Sequence, residues 1–298
     1  MRAGLEVGST VVQDTAIPAW DELVPDPDSR SWARAYGDLA AGWQQRRLWG
    51  HLGLQDVRQG YRRSVLGPLW ITISMAVTAV ALGILYSALF GQPLAKFLPY
   101  VATGLIVWQF IAGCVNDGVQ VFIRNEGLIK HLPSPLSVHV FRLVWHQLLL
   151  FVHNFAVYLV LIAKFWRPLG AEVLLAVPAL GLLVLNGLWF VLVIGVIATR
   201  FRDIPPLTGS IVQLLFFMTP IVWVYEDFAN SPKPGIAERA RLAELNPFMH
   251  FVQIIRQPLL GQPVEFRHWV VAGAITAVGW VLALVVLRNY RARVSYWV

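Results

Sequence analysis

Long runs of apolar residues alternate with short polar segments along this chain. The run at 69–90 has 22 residues and contains no Asp, Glu, Lys or Arg. A helix needs about 20 apolar residues to cross a hydrocarbon core about 30 Å thick, and backbone groups in lipid must be hydrogen-bonded within their own segment. The pattern therefore predicts an all-α integral membrane protein with six transmembrane helices, at 69–90, 98–120, 136–163, 173–199, 207–225 and 269–287.

The composition agrees with a protein that resides in a bilayer. Hydrophobic residues occupy 57% of the 298 positions and charged residues 14%, which is more apolar surface than one soluble core can hide. In a soluble protein the net charge of +7 would suggest a nucleic-acid partner. Here the basic residues lie mainly beside the spans, so membrane lipids explain the charge and no nucleic-acid partner is expected.

Basic residues are concentrated on one side of the predicted spans. They precede the first span and follow the second, fourth and sixth, and they are Arg46, Arg47, Arg58, Arg62, Arg63, Arg124, Lys130, Arg200, Arg202, Arg288, Arg291 and Arg293. The short loops on the other side hold only Lys96, Lys164 and Arg167. Because Lys and Arg favour the cytoplasmic side, both termini of a multi-pass protein are predicted to be cytoplasmic.

The segments that flank the spans differ in character. Residues 1–30 contain several Pro and Asp and predict a disordered cytoplasmic tail. Residues 31–64 mix aromatic and basic side chains, which favours an N-terminal amphipathic helix in the membrane interface or, alternatively, a soluble helix packed beneath the bundle. Residues 291–298 are predicted to be a second cytoplasmic tail, which leaves 65–290 as the transmembrane domain.

The connection 226–268 is too hydrophobic for a free loop. Apolar residues recur in it at near-helical spacing, and Asn246–Pro247 interrupts them. Because such helices can dip into the membrane where protein contacts shelter their ends, we predict two short external re-entrant helices between spans five and six.

Motifs for chemistry within this chain are absent from the sequence. A phosphate-binding loop needs a Gly-Lys pair, and the chain has none. Neither a Cys/His metal spacing nor a nucleophile elbow is present. We therefore predict no catalytic residue, no metal site and no cofactor in this chain, and any ATP must be bound by another polypeptide.

Ionisable groups inside the spans are functional candidates because they are costly in lipid. Asp117 lies at the inner end of the second span, and Arg142 and His146 share one face of the third. Asp117 and Arg142 are expected to face each other. Four interpretations stay open: a hydrophilic entry lining, a contact that moves between conformations, an ion pair that holds the two spans together, and a proton relay that continues through His153.

Aromatic side chains within the spans are candidates for lining a conduit, because apolar sugar faces stack on aromatic rings. The alternative is ordinary packing or an interfacial belt. The candidates are Tyr86, Trp108, Phe110, Phe216, Phe217, Trp223 and Tyr225.

Several stretches taken together resemble the transmembrane permease subunit of ABC-2 type polysaccharide exporters, which transport O-antigen, teichoic acid or related glycans. They are YRRSVLGPLW at 61–70, LPYVATGLIVWQF at 98–110, NEGLIKHLPSPLS at 125–137, FRDI at 201–204, FMTPIVW at 217–223, LNPFMHF at 245–251 and RQPLLG at 256–261. Their order and their fit to six spans carry the resemblance, which covers nearly all of 58–290.

The resemblance implies a permease dimer in the cytoplasmic (inner) membrane, joined to two separate ATP-binding subunits that bind ATP and Mg²⁺. Two cytoplasmic loops would couple this chain to those subunits. Their residues are Arg124, Asn125, Glu126, Leu128, Ile129 and Lys130 in the first loop and Arg200, Arg202 and Asp203 in the second. The external re-entrant helices resemble the helices that gate the exit in this family.

The substrate implied by the resemblance is a polysaccharide linked to a polyprenyl pyrophosphate lipid. Arg58, Arg62 and Arg63 are candidates to bind the pyrophosphate, because guanidinium groups pair well with phosphate oxygens; ordinary headgroup contact is the alternative. Other functions stay open, namely an ABC-2 exporter of a small lipophilic substrate, a six-span membrane enzyme acting on lipid phosphates, and a secondary transporter.

Overall fold

The computed structural model describes residues 30–60, 64–132, 134–165, 169–233 and 235–298. The predicted tail at 1–30 lies outside the described residues except for Arg30, and Arg62, Arg63 and Arg167 lie outside them too. The described residues are helical and contain no strand. Their α-helices are α1 (Trp32–Gln44), α2 (Arg46–Gly60), α3 (Leu69–Phe90), α4 (Leu94–Gly118), α5 (Glu126–His131), α6 (Leu136–Phe165), α7 (Ala176–Arg200), α8 (Ile204–Met218), α9 (Tyr225–Ala229), α10 (Ile236–Arg241), α11 (Pro247–Leu259) and α12 (Phe266–Trp297).

Five helical segments among the described residues are long and apolar enough to cross a membrane. They are α3, α4, α6, α12 and the segment Ala171–Arg200, in which a 3₁₀ turn precedes α7. The fifth predicted span differs, because α8 has only 15 residues and ends at Met218. At 1.5 Å per residue, α8 extends about 22 Å, which is short of the hydrocarbon thickness. Pro220 explains the early end, since the residue before a proline is pushed out of the helical region, and Thr219 is extended.

Helix α4 forms the centre of the bundle. It is buried along most of its length and contacts α3, α6, α7, α8 and α11. Around it, α7 and α12 approach closely where Gly279 meets the indole of Trp189: a Cβ at Gly279 would lie 2.1 Å from that ring. Small residues at helix contacts allow such approaches in membranes.

Helices α1 and α2 come from the predicted amphipathic segment and pack along the first half of α6. Ser31 caps α1 by accepting a hydrogen bond from the backbone nitrogen of Arg34 at 3.2 Å. Aromatic rings join α2 to α6, with Trp49 and Phe141 stacked 5.6 Å apart. Trp43 and Leu48 stay exposed on the outer face, so the segment combines a packed face with an apolar exposed one.

Helix α11 begins where the sequence predicted a break. The side chain of Asn246 accepts a hydrogen bond from the backbone nitrogen of Phe248 at 3.0 Å, and Pro247 occupies the first turn. The helix is almost entirely buried between α4, α7 and α12. Arg256 on α11 is fully buried, and its Nη1 donates to the carbonyl of Pro220 at 2.7 Å. A gating role for these external helices stays a prediction.

Both ends of the described chain meet at one end of the bundle. Nη1 of Arg291, near the end of α12, donates to the carbonyl of Arg34 on α1 at 3.1 Å. Nη2 of Arg202, just after α7, donates to the carbonyl of Trp297 at 2.8 Å. Residues 291–297, which the sequence predicted to be a tail, are therefore the last turns of α12.

Candidate functional site

Polar side chains from α2, α4 and α6 surround a cavity of about 350 Å³ near the end of the bundle where α1 meets the last turns of α12. We call this cavity the polar basin. Its lining residues are Asp56, Asp117, Val121, Arg124, Asn125, His139, Arg142, Leu143 and His146. The structure thus brings Asp117, Arg142 and His146 to one cavity, as the helical spacing suggested.

Both carboxylate oxygens of Asp117 accept hydrogen bonds, one from a residue on α6 and one from a residue on the turn after α4. Its Oδ1 accepts from Nη1 of Arg124 at 3.0 Å, and its Oδ2 accepts from Nε2 of Gln147 at 2.8 Å. Arg124 also donates from Nε to Oε1 of Gln120 at 2.7 Å. This carboxylate therefore has a cation and an amide as partners.

Arg142 pairs with α2 rather than with α4. Its Nε donates to Oδ2 of Asp56 at 2.8 Å, and its Nη2 donates to Oδ1 at 2.6 Å. Two parallel charge-assisted hydrogen bonds of this kind are stronger and more directional than a single one. The expected direct pair of Asp117 with Arg142 is not formed, because Asp56 occupies the guanidinium and Arg124 and Gln147 occupy Asp117.

Asp56 and Gln147 are the two partners that the sequence reasoning missed. One signal for Asp56 was present: within 31–64 the only acidic residues are Asp38 and Asp56. Both bind α6, since the carboxylate of Asp38 accepts hydrogen bonds from the backbone N–H groups of Leu136 at 3.1 Å and of Ser137 at 3.0 Å. Asp38 thereby satisfies free N–H groups in the first turn of α6.

Two histidines of the basin have ring nitrogens without a hydrogen-bond partner in the described part of the chain. They are Nε2 of His139 and Nδ1 of His146, both buried atoms. His153 lies further along α6, where its Nδ1 is 2.7 Å from the carbonyl of Leu149 in its own helix. The proposed relay from His146 through His153 stays an untested prediction.

The first predicted coupling segment contains α5. Nζ of Lys130 donates to Oε1 of Glu126 at 2.7 Å, one helical turn away. This hydrogen bond and the positive charge of Lys130 hold the pKa of Glu126 below its ordinary value, and Arg202 adds to the effect. Leu128 is exposed, whereas Ile129 packs against the core, so α5 is anchored on one face and open on the other.

The second predicted coupling segment follows α7 and lies close to the first. The guanidinium of Arg200 lies 5.8 Å from the ring of Trp297, whose carbonyl accepts from Arg202. Asp203 is exposed at the start of α8. Asn125 donates from Nδ2 to the carbonyl of Val121 at 2.7 Å and so shapes the turn before α5. The structure therefore places both segments at one end of the bundle.

The candidate conduit aromatics separate into different environments. Trp108 contacts Phe216 at 5.9 Å between ring centroids, and Phe216 contacts Phe217 at 5.3 Å. Phe110 is buried against Phe151, 6.3 Å away, inside the bundle. The first three share one cluster, whereas Phe110 has the position of a packing residue.

The remaining three aromatics lie at the other end of the bundle. Tyr86 and Trp223 both join a cluster through Phe90 and Phe228, with ring distances of 5.6–5.7 Å. Tyr225 is buried, and its hydroxyl donates to Oε1 of Glu244. That hydrogen bond is the leading reason that the pKa of Glu244 lies below its ordinary value, and Arg267 contributes further.

A protein-family model described as ABC-2 type transporter matches residues 48–260 of this chain. That range is more than half of the 298 residues. The chain belongs to the ABC-2 type transporter family. As an ABC-2 permease it is a multi-pass membrane protein and a transport subunit rather than an enzyme.

Three relatives of this ABC-2 permease are named as O-antigen export permeases. It is 24% identical to the O-antigen export system permease protein RfbA of Myxococcus xanthus over 208 residues, which are 70% of this chain and 78% of that protein. It is 22% identical to RfbA of Klebsiella pneumoniae over 173 residues, 57% of this chain and 66% of that protein. A second RfbA sequence from Klebsiella pneumoniae matches at 22% over 170 residues.

The family match includes both the polar basin and the two predicted coupling segments of this ABC-2 permease. Asp56, near its beginning, and Asp203, well inside it, fall within 48–260. Helix α1 and all of α12 fall outside the matched range. Arg58 lies near the end of α2 and is exposed, whereas Arg62 and Arg63 lie outside the described residues.

Proposed function

We propose that this chain is the permease subunit of an ATP-driven exporter that moves a polyprenyl-pyrophosphate-linked polysaccharide across the cytoplasmic membrane. The observation that carries the proposal is the family match over 48–260, together with relatives named as O-antigen export permeases. The position of α5 and of residues 200–203 at one end of the bundle supports a shared docking face for an ATP-binding partner.

The proposed topology has six crossings with both termini in the cytoplasm. Because Arg202 after α7 touches Trp297 at the end of α12, the chain between α7 and the start of α12 has to return to the opposite end of the bundle. Helix α8 and the buried residues Thr219–Val222 after it provide this return. The concentration of Arg and Lys beside α5 and the terminal helices supports the cytoplasmic assignment.

The proposed assembly contains two copies of this permease and two ATP-binding subunits, which bind ATP and Mg²⁺. On each copy α5 offers an exposed face that carries Leu128 and the Glu126–Lys130 pair. Its other face rests on the core through Ile129. A push on α5 by a closing ATP-binding dimer would therefore be passed to α6 and α12 as a movement of packed helices, without covalent chemistry in this chain.

The polar basin is proposed to admit the hydrophilic part of the substrate from the cytoplasmic side. The basin joins α2, α4 and α6 and contains two arginines and two histidines. Arg58, Arg62 and Arg63 are proposed to meet the lipid pyrophosphate at the membrane surface, since arginine binds phosphate oxygens through paired hydrogen bonds.

The experiment that tests this function combines purification with a genetic assay. The tagged chain is extracted gently from its native membrane, and its stoichiometric partners are identified. We expect a roughly equimolar partner with a phosphate-binding loop, and we expect deletion of this chain to remove a surface glycan. A chain that purifies alone after crosslinking, or a deletion strain with unchanged surface glycan, would refute the proposal.

A further inference from the structure

We propose that Ser74, Thr78 and Gln109 form a sugar-binding site inside the membrane-spanning part of this permease. The site lies beyond the polar basin on the route of the exported glycan. We call these three residues the α3–α4 polar site. The inference rests on the proposed function, and it adds the route within this chain and the kind of group that is recognised there: hydroxyl-rich, uncharged sugar rings.

The first observation is that Gln109 is exposed within a stretch of α4 that is otherwise covered. Between Phe97 and Val115, α4 is buried or half-buried at every position except Gln109, which is exposed. Its Oε1 accepts from Nδ2 of Asn154 at 3.1 Å, and among the described residues its amide nitrogen has no partner. An amide facing hydrocarbon without a partner is unfavourable, so the side chain of Gln109 requires a polar environment at this depth.

Helix α3 supplies the second observation. Ser74 and Thr78 are one turn apart and both are exposed. Oγ1 of Thr78 donates to the carbonyl of Ser74 at 2.8 Å, which leaves its lone pairs open to a donor. The hydroxyl of Ser74 makes no hydrogen bond to another described residue. Both residues line the same cavity as Gln109, with a volume of about 370 Å³.

The chemistry of this cavity suits a sugar. Its size falls in the range of about 300–1,000 Å³ that is common for small-molecule sites. Hydroxyl and amide groups meet there with the apolar side chains of Leu105, Trp108 and Leu150, and a sugar ring likewise has hydroxyl groups and apolar C–H faces. The described lining of the cavity contains no ionised group, which favours uncharged sugar units over charged ones.

Polar side chains lie between the α3–α4 polar site and the polar basin. Asn116 lies seven residues after Gln109 on the same face of α4 and is exposed. Between them, Gly113 leaves room for Gln147 of α6, whose Oε1 would lie 2.1 Å from a Cβ at that position. Gln147 in turn donates to Asp117 in the basin. A row of neutral polar groups on α4 and α6 thus leads from Asp117 to Gln109.

The test measures water access at single cysteines in the complete exporter, in membranes that contain the ATP-binding partner. The chain has one native cysteine, so Cys114→Ala provides the background. Ser74→Cys, Thr78→Cys and Gln109→Cys are compared with Val80→Cys and Ile84→Cys, which replace exposed apolar residues of α3. The probe is a membrane-impermeant, positively charged methanethiosulfonate reagent, and co-purification of the partner confirms that each variant is assembled.

We expect the three site cysteines to react several-fold faster than the two control cysteines, and ongoing glycan export to slow the reaction at the site only. Reaction no faster than at Val80→Cys would overturn the inference, because the site would then face lipid or a dry contact between copies. Equal rates with and without export would also overturn it, because water alone would then fill the cavity.

The failure of this inference is distinguishable from failure of the proposed function. If deletion of the chain removes the surface glycan but the site cysteines stay unreactive, only the α3–α4 polar site is wrong. If deletion leaves the glycan unchanged, the export function is wrong whatever the labelling shows. Thr78→Cys keeps the test available if Gln109→Cys does not assemble.

Discussion

The Asp56–Arg142 pair connects α2 to α6, and its removal is expected to loosen the N-terminal helices. The pair forms two hydrogen bonds of 2.6–2.8 Å. The side chain of Arg142 is 26% exposed and that of Asp56 is 29% exposed. Fully exposed pairs contribute about 0–1 kcal/mol, whereas breaking a fully buried pair costs about 3–5 kcal/mol. With about a quarter exposure, we expect Asp56→Asn to destabilise the fold by about 1.5–3 kcal/mol, the range of hydrogen bonds to charged groups.

The assay is a double-mutant cycle on the purified, detergent-solubilised complex, with unfolding followed by loss of the monodisperse peak on heating. Asp56→Asn and Arg142→Gln together are expected to lose little more than either alone, because each removes the same interaction. Asp117→Asn with Arg142→Gln is the matched control. Those two losses are expected to add, since Asp117 is bound by Arg124 and Gln147 instead.

The opposite pattern would refute the reasoning. Additive losses for Asp56 with Arg142 would show that the two groups do not interact. Strong non-additivity for Asp117 with Arg142 would show that these two form the functional pair and that α2 is attached in another way. Arg142→Lys provides a further check, because lysine keeps the charge but cannot make the paired contact, so part of the loss should remain.

Three further predictions concern α5, the α7–α12 contact and α11. Glu126→Lys breaks the Glu126–Lys130 ion pair and is expected to uncouple ATP hydrolysis from export. The exchanged variant Glu126→Lys/Lys130→Glu is expected to stay uncoupled although it again has opposite charges one turn apart; restored export would mean that the pair only stabilises α5. Gly279→Ala is expected to destabilise by about 1–3 kcal/mol because the ring of Trp189 fills the space, whereas Gly273→Ala on the same helix meets open space and should melt like the wild type. Arg256→Met should change the melting temperature little, since removal of a buried charge offsets the lost bond to a carbonyl; a loss larger than that of Asp56→Asn would contradict this.

The sequence predicted the helical architecture well because lipid imposes it locally. An apolar run must satisfy its backbone within its own segment, so α3 coincides with the predicted 69–90. The break at Asn246–Pro247 was also predictable, since an asparagine cap and a proline act on the adjacent turn. The sequence did not predict the length of α8. The apolar run continues past Met218, and the helix ends only because Thr219, which precedes Pro220, is extended.

The sequence predicted which residues of the polar basin share a helix face, but it did not predict which of them bind each other. Spacing placed Arg142 and His146 on one face of α6, and the structure puts both in the basin together with Asp117. Spacing could not reveal which residue binds Arg142, because its partner is 86 positions away in the chain. The exposed Gln109 was likewise hidden, since exposure inside a bundle depends on which helices cover each face.

What the sequence determined by itself is everything that follows from neighbouring residues and the solvent: apolar length, helix ends, the side that basic residues favour, and membership of a family with a recognisable order of motifs. Only the tertiary structure decided how α1 and α2 attach to α6, which carboxylate binds Arg142, and that α12 contacts α1 through Arg291 and Arg34. The physical reason is that lipid is as apolar as the side chains that face it, so hydrophobicity alone does not select which helices touch. Packing of small residues and a few polar contacts makes that choice, and both depend on residues far apart in the chain.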